Sequence, residues 1–69
     1  MKQYYERLRE SRIDRDLTQE DVARHLGIEQ TVFSRYERGI NKMSVPMLEK
    51  LCTLYNISAD YVIFGKKKE

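Results

Sequence analysis

The 69-residue sequence has few of the residues that cross-link, kink or anchor a chain. It contains one cysteine, one histidine, one proline and no tryptophan. A single cysteine excludes an intramolecular disulfide, and Cys52 with His25 cannot supply the ligand set of a zinc finger. No apolar run reaches the length of a secretion signal or a membrane span. These absences predict an intracellular, cytoplasmic domain with no metal, no cofactor and no membrane partner.

An excess of charge of one sign is also missing. The formal net charge is +2, but three of the 13 Lys and Arg residues lie in residues 66–69, and residues 1–65 contain ten basic and ten acidic side chains. This balance gives almost no support for a nucleic-acid partner. Nucleic-acid binding would therefore require a locally basic surface. We assign residues 1–65 to one domain and residues 66–69 to a short charged tail. Met1 and this tail favour a complete protein, with a piece of a longer one as the alternative.

Apolar residues recur at helical spacing, and the alternation typical of strands is absent, so the sequence predicts an all-α fold. Short connections separate five expected helices. These cover residues 3–14, 19–26, 29–38, 45–55 and 59–64. The first helix is expected to present one inner face, formed by Tyr5, Leu8, Arg12 and Ile13.

Polar residues at helix starts and glycines at helix ends support these boundaries. Thr18 is followed three residues later by Asp21, which is close to a capping box. Ser44 and Ser58 are placed to cap the last two helices. Gly27 follows the last apolar residue of the second helix, where glycine adopts a left-handed conformation at little cost.

The stretch TQEDVARHLGIEQTVFSRYERG, residues 18–39, combines two helices around Gly27 and is typical of a helix-turn-helix unit. Ala23 is small enough to let the two helices approach closely. The wedge between the helices is expected to be closed by Val22, Leu26, Ile28, Phe33 and Tyr36. The outward positions are polar and can bond base edges and phosphates; they are Glu29, Gln30, Thr31, Ser34, Arg35 and Arg38.

At LTQEDVARHLGI, QTVFSRYERG and NISADYVIFG the sequence resembles the phage-repressor and Cro-type helix-turn-helix regulators, often called the XRE family. The resemblance covers about residues 5–65. It implies a compact five-helix, lambda-repressor-like domain whose third helix lies in the major groove. It also implies that the protein binds double-stranded operator DNA as a homodimer.

The resemblance implies roles for individual residues of the DNA interface. Gln19 matches a residue that binds a phosphate and braces the first residues of the recognition helix, and Thr18 before it is assigned to the DNA-binding residues as well. Base contacts are implied for Gln30, Thr31, Ser34 and Arg35, and backbone contacts for Arg38, Asn41 and Lys42. A Gln can engage adenine and an Arg guanine, while Thr can contact a thymine methyl.

Two positions depart from the family. Met43 stands where many members have proline, so the loop after the third helix is expected to be less rigid. Glu29 suits the positive end of a helix but repels phosphates, unless it accepts a hydrogen bond from cytosine N4. Arg12 and Glu37 match a pair that ties the first helix to the end of the recognition helix; an ordinary surface ion pair is the alternative.

The last helix and the turn before it contain more large apolar residues than one buried helix face can hold. The set is Ile57, Tyr61, Val62, Ile63 and Phe64. Because exposed apolar patches mark association, we expect a two-fold dimer interface here; packing of the whole set onto the core is the alternative.

We therefore expect a sequence-specific, DNA-binding transcriptional regulator, taken as a repressor, that binds a palindromic operator. The alternative is an antitoxin-like or anti-repressor module that binds another protein. An enzyme is not expected, because the sequence offers no histidine pair, no nucleophile with a plausible base and no glycine-rich phosphate loop. No small-molecule ligand is expected either.

Overall fold

The computed structural model describes residues 1–66, and over that range it is all-helical. The helices are α1 (Tyr4–Asp14), α2 (Gln19–Leu26), α3 (Gln30–Glu37), α4 (Val45–Tyr55) and α5 (Ala59–Phe64). The predicted fold class is confirmed, with α1 beginning one residue later and α3 one residue shorter at each end than expected. Apart from Lys66, the predicted charged tail lies outside the described residues. None of these helices is both long enough and apolar enough to cross a lipid bilayer.

Side-chain caps begin three of the helices. At α2 the Thr18 hydroxyl accepts from the Asp21 N–H at 3.0 Å, and the Asp21 carboxylate accepts from the Thr18 N–H at 3.0 Å. This reciprocal bonding completes the capping box, and the bond from the Thr18 backbone holds the pKa of Asp21 below its usual value. Ser44 and Ser58 cap α4 and α5 in the same way as Thr18, by accepting from the N–H three residues on.

Every helix in the described range is followed, within two residues of its end, by a residue with positive φ. Gly27, Gly39 and Gly65 have φ of 75°, 78° and 72°, while Asp16 and Asn56 have φ of 57° and 56°. The left-handed residue turns the chain sharply and lets the following N–H groups bond the last carbonyls of the helix. Asp and Asn tolerate this conformation better than other non-glycine residues, so the four connections between the helices can be short.

The core lies where α1 meets α3, α4 and α5, with α2 packed against α3. Its buried apolar residues are Leu8, Val22, Ala23, Phe33, Leu51, Cys52, Tyr55 and Val62. The expectation for Ile13 is wrong, because its side chain is 47% exposed. Five residues along a helix rotate a side chain by about 140°, so Ile13 cannot share the face of Leu8. Ser11 and Arg12 complete the buried side of α1 instead.

We expect Gly27→Ala to lower the free energy of unfolding by about 1–2 kcal/mol, the cost of a left-handed alanine. An added Cβ at Gly27 would meet no atom within 4 Å, so the backbone conformation is the sole source of strain. Gly27→Asn should cost less. Urea unfolding followed by circular dichroism measures both, and a loss well above about 3 kcal/mol would point to a steric clash instead.

Candidate nucleic-acid interface

One side of α3 is polar and faces solvent. Gln30, Thr31 and Arg35 are exposed, Ser34 is half-buried, and Arg38 lies exposed just past the last residue of the helix. The spacing of these residues places them on one face of a helix. Phe33, on the opposite face, is fully buried. The structure therefore brings together the base-contacting residues that the resemblance implied.

The apolar packing between α2 and α3, behind this face, is only partly as expected. Val22 and Phe33 are buried in the core, and Leu26 and Ile28 pack against it half-buried. Tyr36 is also half-buried but stands outside the core cluster. The buried residue at that end of α3 is Glu37, which is 3% exposed.

The N-terminus of α3 begins after Glu29, whose side chain does not cap the helix. Within residues 1–66 the Glu29 carboxylate makes no hydrogen bond or ion pair, and the residue is exposed. The first N–H groups of α3 are thus left without a side-chain acceptor. Whether Glu29 meets a base stays a prediction.

The last carbonyls of α3 accept hydrogen bonds from the chain that follows the helix. The N–H groups of Ile40 and Asn41 donate to the Arg35 carbonyl at 3.0 and 3.3 Å, and the Gly39 N–H donates to the Tyr36 carbonyl at 3.1 Å. The beginning of the loop is therefore folded onto the helix. Asn41 and the exposed Lys42 lie just beyond α3, in the segment for which the resemblance implied backbone contacts.

The charge on this part of the surface differs from that of the whole molecule. Between Glu29 and Lys42 the exposed charged residues are one acid and three bases, the bases being Arg35, Arg38 and Lys42. Glu37 does not oppose them, because its carboxylate is buried against Arg12. The exposed charges of this segment therefore sum to plus two, whereas residues 1–65 as a whole have no net charge.

Arg12 and Glu37 form a buried, two-pronged ion pair. Arg12 Nε lies 2.6 Å from Glu37 Oε2, and Arg12 Nη2 lies 3.2 Å from Oε1. The two side chains are only 11% and 2% exposed, so this is no ordinary surface pair. Arg12 Nη1 also donates to the Leu17 carbonyl at 2.7 Å. One guanidinium therefore joins α1, the α1–α2 connection and the end of α3.

The Gln19 side chain is placed differently from its expected role. Its amide nitrogen donates to Glu37 Oε1 at 2.9 Å, so it braces the last residue of α3 and not the first ones. The sharp corner at Gly27 folds α2 back along α3, which brings the start of α2 beside the end of α3. The Thr18 hydroxyl is likewise engaged, as the cap of α2.

The hydroxyl of Tyr55 is buried near the charges of Arg12 and Glu37. The residue is fully buried, and its hydroxyl has no hydrogen-bond partner within the described residues. Burial, followed by the negative charge of Glu37, raises the pKa of this hydroxyl above its usual value. Tyr55 therefore stays protonated and adds no charge behind the polar face.

The expected association patch at α5 is smaller than its sequence suggested. Val62 is wrong as an interface residue, because it is 0% exposed and belongs to the core. Ile57 and Tyr61 pack half-buried against that core. The six-residue helix α5 has one inward face, which Tyr61 and Val62 occupy, and Ile57 packs against the core from the turn before the helix. Ile63 and Phe64 remain outside, at 46% and 68% exposure.

Val45 and Arg7 are two residues of this region that the sequence did not single out. Val45, at the start of α4, is 77% exposed and lines the same shallow surface depression as Ile63 and Phe64. The Arg7 guanidinium donates to the carbonyls of Val62 and Ile63 at 2.7 and 3.2 Å, which fixes the end of α5 on α1. No local pattern signals either role, because both depend on which helices meet.

Comparison with known proteins agrees with this architecture. Residues 5–62 match the family described as the helix-turn-helix domain. The chain is 33% identical over 51 residues to the cryptic phage CTXphi transcriptional repressor RstR of Vibrio cholerae, covering 74% of this chain and 46% of the repressor. It is 39% identical over 57 residues to the HTH-type transcriptional regulator ImmR of Bacillus subtilis, covering 83% and 45% respectively.

A third relative is named for a different role. The chain is 41% identical over 54 residues to the antitoxin PezA of Streptococcus pneumoniae, covering 77% of this chain and 33% of the antitoxin. This chain thus spans less than half the length of each of these three curated relatives.

The buried pair gives a stability prediction. We expect Glu37→Leu to lower the free energy of unfolding by about 3–5 kcal/mol, because it leaves the Arg12 guanidinium buried and unpaired. Replacing both residues, with Arg12→Met and Glu37→Leu, should cost less than the single change. Urea unfolding at neutral pH measures the difference.

The exposed pair of Lys2 and Glu10, whose side chains are 56% and 45% exposed, is the matched control. Glu10→Ala should leave the unfolding midpoint nearly unchanged. A double variant that is less stable than Glu37→Leu alone would contradict the assignment of the loss to an unpaired charge.

Proposed function

We propose that this chain, which belongs to the XRE-type helix-turn-helix family, is a sequence-specific DNA-binding regulator of transcription that acts as a repressor. It acts by occupying a site on DNA and not by chemistry. The observation that carries the proposal is the polar, locally basic face of α3, which is held at its far end by the buried Arg12–Glu37 pair.

In this proposal α3 enters the major groove with Gln30, Thr31 and Arg35 toward the bases. The amide of Gln30 suits the N6 and N7 edge of adenine, and the Arg35 guanidinium suits O6 and N7 of guanine. Thr31 offers a hydroxyl and a methyl group, and Ser34 lies one turn behind it. Each of these residues has a solvent-exposed or half-exposed side chain on a single helical face.

Backbone contacts come from outside α3. Arg38 and Lys42 are exposed cations beyond the helix, and Asn41 lies between them in a segment that is hydrogen-bonded to the helix end. At the start of α2, Gln19 contributes its backbone N–H, because its side chain is engaged by Glu37. Such contacts set the position of α3 on the duplex and carry no sequence preference.

We further propose that the protein binds a palindromic operator as a homodimer through Val45, Ile63 and Phe64. These are three of the six exposed large apolar residues in the described range, and they line one shallow depression together. A two-fold pairing of this patch would present two copies of α3 to half-sites about one helical turn apart.

A binding selection from random duplex DNA at physiological salt tests the proposal. We expect the wild-type protein to enrich one palindromic site and the Gln30→Ala, Arg35→Ala double variant to lose that enrichment. Loss of a bidentate base contact costs about 1–3 kcal/mol, and both side chains are exposed, so the variant should stay folded. Arg24→Ala, on the exposed face of α2, is the matched control and should still enrich the site.

The second candidate function is that of an antitoxin-like module that binds another protein. It is favoured by the identity to a relative named as an antitoxin and by the exposed apolar patch at α5. Absence of any enriched site from folded wild-type protein would overturn the DNA-binding proposal in favour of this one. Intact enrichment by the double variant would instead contradict the assignment of α3 as the recognition helix.

The dimer gives a separate prediction. We expect Phe64→Ser to weaken self-association, because the exposed ring is removed from an apolar contact while the core residue Val62 is untouched. Sedimentation equilibrium measures the dimer constant, and thermal unfolding of dilute protein should change little. The control is Ile13→Ser, which removes a 47% exposed isoleucine from α1. Equal effects of the two changes on association would argue against the patch.

A further inference from the structure

Two adjacent tyrosines at the start of α1 contact both ends of the loop that follows α3. An added Cβ at Gly39 would lie 2.5 Å from Cε2 and Cζ of Tyr5 and 2.9 Å from its hydroxyl oxygen, so the ring rests directly on Gly39. Four residues along, the Met43 N–H donates to the Tyr4 hydroxyl at 3.4 Å. Residues 39–43 are thus held from α1 at their first and last positions.

The two rings also support each other. They meet edge to face, with centroids 5.4 Å apart and planes inclined at 85°. Tyr4 packs against the hydrophobic core, and Tyr5 is half-buried. Aromatic side chains have few rotatable bonds, so a pair anchored in this way provides a rigid surface under the loop. We call Tyr4 and Tyr5 together the tyrosine clamp.

The loop under the clamp carries the groups assigned to the DNA backbone. Asn41 and Lys42 lie within it, and Arg38 directly precedes it. Its first half is bonded to the Arg35 carbonyl, whereas the Lys42 N–H makes no hydrogen bond within the described residues.

We propose that Tyr4 and Tyr5 are positioning residues for phosphate binding: the clamp holds residues 39–43 in the conformation in which Asn41 and Lys42 reach the DNA backbone. The inference rests on the proposed function. Its physical basis is preorganisation, because a loop that is already ordered loses less conformational entropy when it binds.

The test is the salt dependence of DNA binding for Tyr5→Leu, measured by fluorescence anisotropy. We expect affinity for the enriched operator and for an unrelated duplex to fall by a similar factor of about three to ten. The slope of log K against log salt should become shallower by up to about one unit, as it should for Lys42→Ala, because phosphate contacts are lost. The ratio of the two affinities should not change.

A readout without DNA accompanies this measurement. Amide hydrogen exchange of the free protein should speed up at the bonded N–H groups of the loop in Tyr5→Leu and remain slow at the buried Phe33; these groups belong to Ile40, Asn41 and Met43. Tyr4→Phe removes a hydroxyl and leaves the ring, so it should show the same effects more weakly and remain folded. If hydrogen exchange in Tyr5→Leu speeds up throughout the protein, that variant is destabilised as a whole. Tyr4→Phe then takes its place in both measurements.

Two glycines provide a matched pair of variants. Gly27 and Gly39 have nearly the same φ, but an added Cβ meets the Tyr5 ring at Gly39 and no atom within 4 Å at Gly27. Gly39→Ala should therefore displace the clamp and reduce binding to both duplexes, whereas Gly27→Ala should not alter the salt slope.

The outcomes separate the two proposals. If wild-type protein binds no duplex, the proposed function fails and this inference fails with it. If wild type binds and Tyr5→Leu binds with the same affinity and salt slope, the inference alone is overturned. A loss confined to the operator, with an unchanged slope, would also overturn it, because that pattern belongs to the base contacts.

Discussion

The buried pair of Arg12 and Glu37 is the interaction on which the rest of this domain depends. Its atoms touch α1, the α1–α2 connection, α2 through Gln19, and the end of α3. A buried carboxylate is tolerated only when its oxygens are bonded, and here both oxygens are. Both oxygens of Glu37 stay bonded only while the end of α3 lies beside Arg12 and Gln19. The pair therefore fixes the orientation of α3 against the core.

The same pair shapes the electrostatics of the surface. Glu37 would otherwise place a negative charge among Arg35, Arg38 and Lys42, and its neutralisation by Arg12 leaves these cations with Glu29 as the exposed acid between residues 29 and 42. A protein with a neutral body can in this way present a basic face of limited extent. That arrangement favours contact with DNA in one orientation over general attraction to polyanions.

Two regions away from the pair depend on long-range contacts of α1. Arg7 bonds the last carbonyls of α5, and the tyrosine clamp lies against the loop after α3. The first helix thus supports both the proposed dimer patch and the proposed backbone-binding loop. Its sequence shows only a charged helix with a narrow apolar face, so neither role could be foreseen. Val62 was wrongly assigned for a related reason, since burial on a six-residue helix depends on what covers it.

The sequence by itself determined the local structure. Helical periodicity, the Thr18 capping box and the glycines at helix ends depend on neighbours within about four residues, and these interactions form in the same way wherever the helix lies. Residue spacing also predicted the polar face of α3, and the resemblance added the roles of its residues and the partner of Arg12. The tertiary structure alone decided that Gln19 meets the end of α3, that Ile13 faces solvent and that Tyr5 rests on Gly39. Those contacts join residues far apart in the chain, and the packing of whole helices, which no local pattern encodes, sets their geometry.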